Sequence, residues 1–257
     1  MLTRICISGD GQRLFVTDKM WHRIVAINVV DGSRVLIGGD GSDRNGSGTE
    51  LGQFNNPHGI CLSPNGDELF VVESGNRLYG NIPGRVQVLR AADGLPIRTF
   101  GGEHLINPRD ICISQDGEVF VTDISFNGYY SIQVFDVNGV FKRTNKSFGK
   151  EFFFGLCMSG DKLFAASNEG VEVFNADGSF NWETNYTQTP CGVCIVNDQL
   201  FAMNERGIDV FRVSDRELVR RVEGYFGDVS GICVSPNGKE IFGTTGKVGD
   251  IIKVFQV

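Results

Sequence analysis

Apolar residues along this chain come in short runs of four to six, bounded by Gly, Asn and Asp, and nowhere repeat at the three-to-four spacing of an amphipathic helix. The runs recur in a fixed order. "ICIS" at 5–8 returns as "ICLS" at 60–63, "ICIS" at 111–114, "LCMS" at 156–159, "VCIV" at 193–196 and "ICVS" at 232–235. A turn follows each time, such as Asp10-Gly11, Asn65-Gly66 or Asn197-Asp198, built from residues that tolerate the positive φ of a hairpin. A second run then appears: "LFVTD" (14–18), "LFVVE" (69–73), "VFVTD" (119–123), "LFAAS" (163–167), "LFAMN" (200–204) and "IFGTT" (241–245). A third alternates: "IVAI" (24–27), "VQVL" (86–89), "IQVF" (132–135), "VEVF" (171–174), "IDVF" (208–211) and "IKVF" (252–255). A fourth, more polar strand closes every unit but the last.

Each unit reads as a four-stranded antiparallel meander that cannot bury both of its own faces, whereas six set radially can. The expectation is an all-β, six-bladed β-propeller with four-stranded antiparallel blades and an incomplete last blade. It forms one domain over 1–257, with blades at about 1–52, 53–104, 105–150, 151–187, 188–226 and 227–257. Because the chain starts almost at its first inner strand, closure is expected by side-chain packing between the sixth and first blades. The strand at 251–257 would then be an exposed edge, open to pairing with another copy of the chain or with further domains of a longer protein.

The Trp-Asp pair of WD40 propellers is missing: Trp21 precedes His22, and Trp182 precedes Glu183. "FNNPHGICLSPNGDELFVVESGN" (54–76) and "INPRDICISQDGEVFVTD" (106–123) instead resemble the NHL-repeat family, as does the Gly-rich spacer at 38–57. The resemblance extends over the whole chain and is strongest in the first three units. It implies a recognition platform for protein or RNA. A few propellers with similar repeats are enzymes, amidating lyases and lactonase-like hydrolases among them.

A net charge of −7 argues against nucleic acid as a partner, because clustered basic charge carries most of that affinity. No apolar run reaches 18 residues, so no membrane span is expected. Seven cysteines, an odd number with C-x-x-C spacing only at Cys191 and Cys194, and a start lacking an apolar leader core, point to a cytoplasmic setting. Six of the cysteines, Cys6, Cys61, Cys112, Cys157, Cys194 and Cys233, share one inner-strand position. Neighbouring sheets lie about 10 Å apart, too far for a disulfide or a shared zinc ion. These thiols are therefore expected to be buried, reduced packing residues. Cys191 falls nearer the channel mouth and is the one expected to react.

Strand direction puts the tight Asn-Gly and Asp-Gly turns at one end of the ring, the bottom. The loops between second and third strands and the crossovers between blades lie at the other, the top. Top loops are long only in the first three blades, at 19–22, 74–84 and 124–131, and the longest crossover, 38–57, lies beside them. They carry Trp21, His22, Tyr79, Phe126, Tyr129 and Tyr130, aromatic types enriched in binding hot spots. The channel mouth should be lined by Thr3, His58, Arg109, Phe154, Cys191 and Ser230, with Arg4, Gly59, Asp110, Gly155, Gly192 and Gly231 one position on. The candidate ligand-binding residues are thus Trp21, His22, His58, Tyr79, Arg109, Asp110, Phe126, Tyr129 and Tyr130.

No catalytic residue, metal ligand or cofactor is assigned. His58 alone matches the lyase histidines, Asp110 alone the lactonase carboxylates, and Asp18–Arg23 and Glu73–Arg85 are expected to pair structurally. The reading is a non-catalytic recognition propeller that binds a protein, peptide or other ligand on the top of blades 1–3. The alternative is a metal-dependent lactonase-like hydrolase or lyase acting at the channel mouth. An RNA-binding NHL domain is third, since Arg4, Lys19, Arg44, Arg77 and Arg109 are interspersed with Asp18, Asp40, Asp43, Glu50 and Glu73.

Overall fold

The structure, a computed structural model, describes residues 1–39, 47–75, 82–124, 128–146, 154–183, 189–224, 229–245 and 252–256. Six antiparallel meanders follow one another along the chain. The first holds β1 (Leu2–Ile7), β2 (Arg13–Asp18), β3 (Arg23–Asn28) and β4 (Arg34–Gly38); the second holds β5 (Pro57–Leu62), β6 (Glu68–Glu73), β7 (Arg85–Arg90) and β8 (Pro96–Phe100). The third holds β9 (Pro108–Ile113), β10 (Glu118–Ile124), β11 (Tyr130–Asp136) and β12 (Phe141–Lys146); the fourth holds β13 (Gly155–Ser159), β14 (Lys162–Ala166), β15 (Val171–Asn175) and β16 (Phe180–Glu183). The fifth holds β17 (Gly192–Val196), β18 (Gln199–Asn204), β19 (Gly207–Arg212) and β20 (Leu218–Glu223); the last has three strands, β21 (Val229–Val234), β22 (Glu240–Thr245) and β23 (Ile252–Gln256). The architecture is the six-bladed propeller, with its last blade incomplete. Among the described residues no helix is long and apolar enough to cross a membrane.

Register explains the repeated cysteine. Cys6 lies opposite Phe15, Cys61 opposite Phe70, Cys112 opposite Phe120, Cys157 opposite Phe164, Cys194 opposite Phe201 and Cys233 opposite Phe242. Directly opposed residues share a sheet face. Each Cys–Phe pair therefore points at the next blade around the ring. Phe120 and Cys112, for example, pack on Leu156, Leu163 and Ala165 of the fourth blade. The six phenylalanines are at most 2% exposed. A small, soft side chain is needed beside each ring, where the blades converge on the axis, and cysteine supplies it.

All seven cysteines are free. Cys112 and Cys233 are buried as expected, whereas Cys6, Cys61, Cys157 and Cys194 are half-buried. The expectation of complete burial is corrected for those four: they line a cavity of about 270 Å³ in the lower channel.

The ring closes through side chains. Cys233 and Phe242 of the last blade pack with Leu2, Ile5, Leu14 and Val16 of the first, and the Thr244 hydroxyl donates to the Thr3 carbonyl at 3.2 Å. β1 pairs with β2 and β23 with β22, so no strand of the first blade completes the last.

Candidate functional site

Inner strands of four blades carry a register irregularity at the same level: between Leu2 and Ile5, Pro57 and Ile60, opposite Val121–Asp123 in β9, and between Val229 and Gly231. Such irregularities re-aim side chains locally. Threonine hydroxyls on the second strand take up backbone groups left out of the ladder. Thr17 Oγ accepts from the Arg4 N–H at 2.9 Å, and Thr122 Oγ accepts from the Asp110 N–H at 2.8 Å. Arg4 and Asp110 are thereby fixed at the throat of the channel, on the first and third blades.

Across the axis, Arg4 Nε lies 3.2 Å from Asp110 Oδ2, and the same oxygen accepts the Leu156 N–H of the fourth blade at 2.9 Å. Burial pushes the Asp110 carboxyl upward, opposed by the Arg4 guanidinium and by that backbone donor. The other four blades have glycine at this level, and at two of them a side chain would collide with backbone. A Cβ on Gly59 would lie 2.7 Å from the Asp110 Cα, and one on Gly231 would lie 2.8 Å from the Thr3 carbonyl oxygen.

Above this ion pair the channel opens into a cavity of about 510 Å³. Its walls are Met1, Thr3, Arg4 and Lys19 of the first blade, His58 of the second, Arg109, Ile124 and Tyr130 of the third, then Phe154, Cys191 and Ser230 of the remaining three. All six residues expected at the mouth line this one cavity. Lys19 reaches it because a 3-10 turn, Lys19–Trp21, follows β2, and its N–H donates to the Met1 carbonyl at 3.1 Å.

Arg109 Nη1 approaches His58 Nε2 at 3.0 Å. A guanidinium only donates, so Nε2 accepts and the neutral ring carries its proton on Nδ1. Burial holds His58 well below its ordinary 6.5, and Lys19, Arg109 and Arg4 push the same way. Burial also lowers Lys19, with Arg109 adding to the effect.

The remaining predicted residues are distributed differently. Tyr129, on the rim, is 54% exposed. Tyr130, next in sequence, begins β11 and is buried, at once part of the core with Phe120 and Ile132 and a wall of the mouth. Its expected exposure is corrected by the alternation of side chains along a strand. Trp21 is half-buried with the Arg23 guanidinium 5.2 Å from its ring centre. His22, at φ 48°, turns away from the mouth: its Nδ1 accepts the Asn56 N–H at 3.0 Å, which ties the first crossover down. The same crossover is held by Arg85, which donates to the Gln53 carbonyl at 3.0 Å, and by Gln87, which donates to that carbonyl at 2.6 Å. Arg85 pairs with Glu73, and Arg23 pairs with Asp18 at 3.1 Å, as expected. Tyr79 and Phe126 lie outside the described residues. Sequence reasoning missed Met1, Lys19 and Ile124 as walls of the mouth, although the length of the 19–22 loop was a signal for Lys19.

Among the described residues no group of three His, Cys, Asp or Glu side chains is placed to hold a metal ion. No family model and no curated protein sequence matches the chain. Solved structures do. A chain of a nidogen/laminin complex superposes with a TM-score of 0.70 at 18% identity, covering 87% of this chain and 80% of that one. A gluconolactonase from Xanthomonas campestris gives a TM-score of 0.69 at 17% identity, covering 95% and 83%. The hydrazine synthase of Kuenenia stuttgartiensis gives 0.70 at 15% identity, covering 100% and 84%. At such identities the likeness is one of fold, and the NHL pattern stays a resemblance in sequence: the chain shares its six-bladed propeller fold with the nidogen and gluconolactonase structures.

Proposed function

We propose that the protein is a non-catalytic recognition propeller, one that captures a protein, peptide or other ligand at the top of its first three blades, over the channel mouth. The observation that carries this reading is the open cavity of about 510 Å³, walled by side chains from all six blades. Its size is that of a ligand pocket, roughly 300–1,000 Å³. The exposed Tyr129 ring stands on the end where the long loops emerge. A propeller in a nidogen/laminin complex shows that this fold can serve a protein assembly.

The test is selection of peptides from a displayed random library on the immobilised protein. Enriched sequences that lose about tenfold in affinity on Tyr129→Ala support the reading. Absence of enrichment, or binding indifferent to every mouth and rim substitution, overturns it. The second reading, a lactonase-like hydrolase, draws on the fold of the gluconolactonase. It stands behind the first because no three-donor metal group is found among the described residues. Turnover of a lactone and aryl-ester panel would reverse the order.

A further inference from the structure

Charge does not balance at the mouth. Arg4, Lys19 and Arg109 line the cavity, and Asp110, at the throat below them, is already held by Arg4. Among the described residues no carboxylate pairs with Lys19 or Arg109, and Arg109 spends one of its five donors on the neutral His58 ring. Both cations are half-buried, so they have given up part of their hydration without gaining a counter-charge among the described residues. This occurs in a protein whose net charge is −7.

The wall that continues from the third blade round to the fifth is different. Ile124, Tyr130, Phe154 and Cys191 form a largely apolar wall. A neutral ligand would leave the two cations unpaired, a cationic one would be repelled, and a bare inorganic anion would leave the apolar wall wet. The cavity satisfies all its walls at once only with a negatively charged group joined to an apolar body.

Building on the recognition reading, we propose that the channel mouth binds an oxyanion, a carboxylate or phosphate ester, carried on an aromatic or aliphatic group. Arg109 and Lys19 hold the charge, the His58 Nδ1–H offers a further donor, and Ile124, Tyr130 and Phe154 cover the apolar part. A guanidinium fork suits either oxyanion.

The experiment is calorimetric titration of the folded protein with N-acetylphenylalanine, its uncharged amide, phenyl phosphate and inorganic phosphate. At least one of the two apolar oxyanions should bind with a Kd of about 1 mM or tighter. The amide and inorganic phosphate should each bind at least about tenfold more weakly. Arg109→Gln and Lys19→Gln should each weaken the charged probe by about tenfold. Lys19 is on a surface turn, so its variant carries the test if Arg109→Gln fails to fold. Peptides of increasing length with a free C-terminus separate the two sources of a carboxylate: affinity that grows with length marks a chain terminus, and constant affinity marks a small acid.

Equal binding of acid and amide overturns the proposal, as does failure of both apolar oxyanions to bind or indifference to both substitutions. Library peptides that bind without an acidic group and without Arg109 or Lys19 would leave the recognition reading intact and refute this one. Tight binding of the charged probes without any selected peptide would do the reverse.

Discussion

Breaking the Arg4–Asp110 pair from either side should cost far more than removing it whole. Asp110 is 6% exposed, and its Oδ2 is 3.2 Å from Arg4 Nε. At an effective dielectric constant of about 20, that separation is worth about 5 kcal/mol of attraction, offset by several kcal/mol of lost hydration. Asp110→Asn can keep an acceptor for the Leu156 N–H but leaves Arg4 charged beside Lys19 and Arg109. Arg4→Gln leaves a carboxylate with no guanidinium at the throat. Each single change is expected to cost about 3–5 kcal/mol. The double variant Arg4→Gln/Asp110→Asn should fall short of the sum by about 2–3 kcal/mol, since neither charge is then stranded. Urea unfolding followed by circular dichroism, with equal m-values across the four proteins, measures the cycle. Additivity to within about 0.5 kcal/mol would show that the two side chains do not act as a pair, and the account of the throat would be wrong.

Phe120→Ala should destabilise by about 3–5 kcal/mol in the same assay, because it empties a fully buried site between the third and fourth blades. His58 has its proton affinity lowered from 6.5 in the fold, so the unfolded chain takes up that proton first as pH falls. Its contribution is thus fully present above about 6.5 and lost below, and His58→Gln should flatten the acid side of a stability–pH curve relative to the parent; identical slopes would contradict the burial of a neutral ring. Burial raises Cys6, Cys61, Cys112, Cys157, Cys194 and Cys233 above the ordinary thiol range, so native alkylation read by mass spectrometry should modify Cys191 first. Early labelling of the buried Cys112 and Cys233 would mean that the blades open readily.

The ring was legible in the sequence because its cause is local and repeated. A cysteine on the inner strand, a tight turn and a phenylalanine opposite it set one face of a hairpin, and six copies of that face demand six neighbours. The residues around the mouth were legible for the same reason: a fixed offset from each inner strand puts Thr3, His58, Arg109, Phe154, Cys191 and Ser230 at one level. What escaped the sequence are relations between distant blades. Arg4 meets Asp110 across the axis, and nothing in the spacing of those residues says so. The capture of His22 by the Asn56 N–H depends on how the first crossover folds back. Tyr129 and Tyr130 differ by one position, and which of them is buried depends on where β11 starts.

The central claim, recognition at the channel mouth, is tested most directly by mapping a bound, library-selected peptide on the isotopically labelled protein by amide chemical-shift perturbation. The account predicts changes concentrated at Arg4, Lys19, His58, Arg109, Tyr129, Tyr130 and Phe154, which line the mouth and its rim. Changes concentrated instead at the opposite end, in the turns containing Gly11, Gly66 and Gly117, would contradict it.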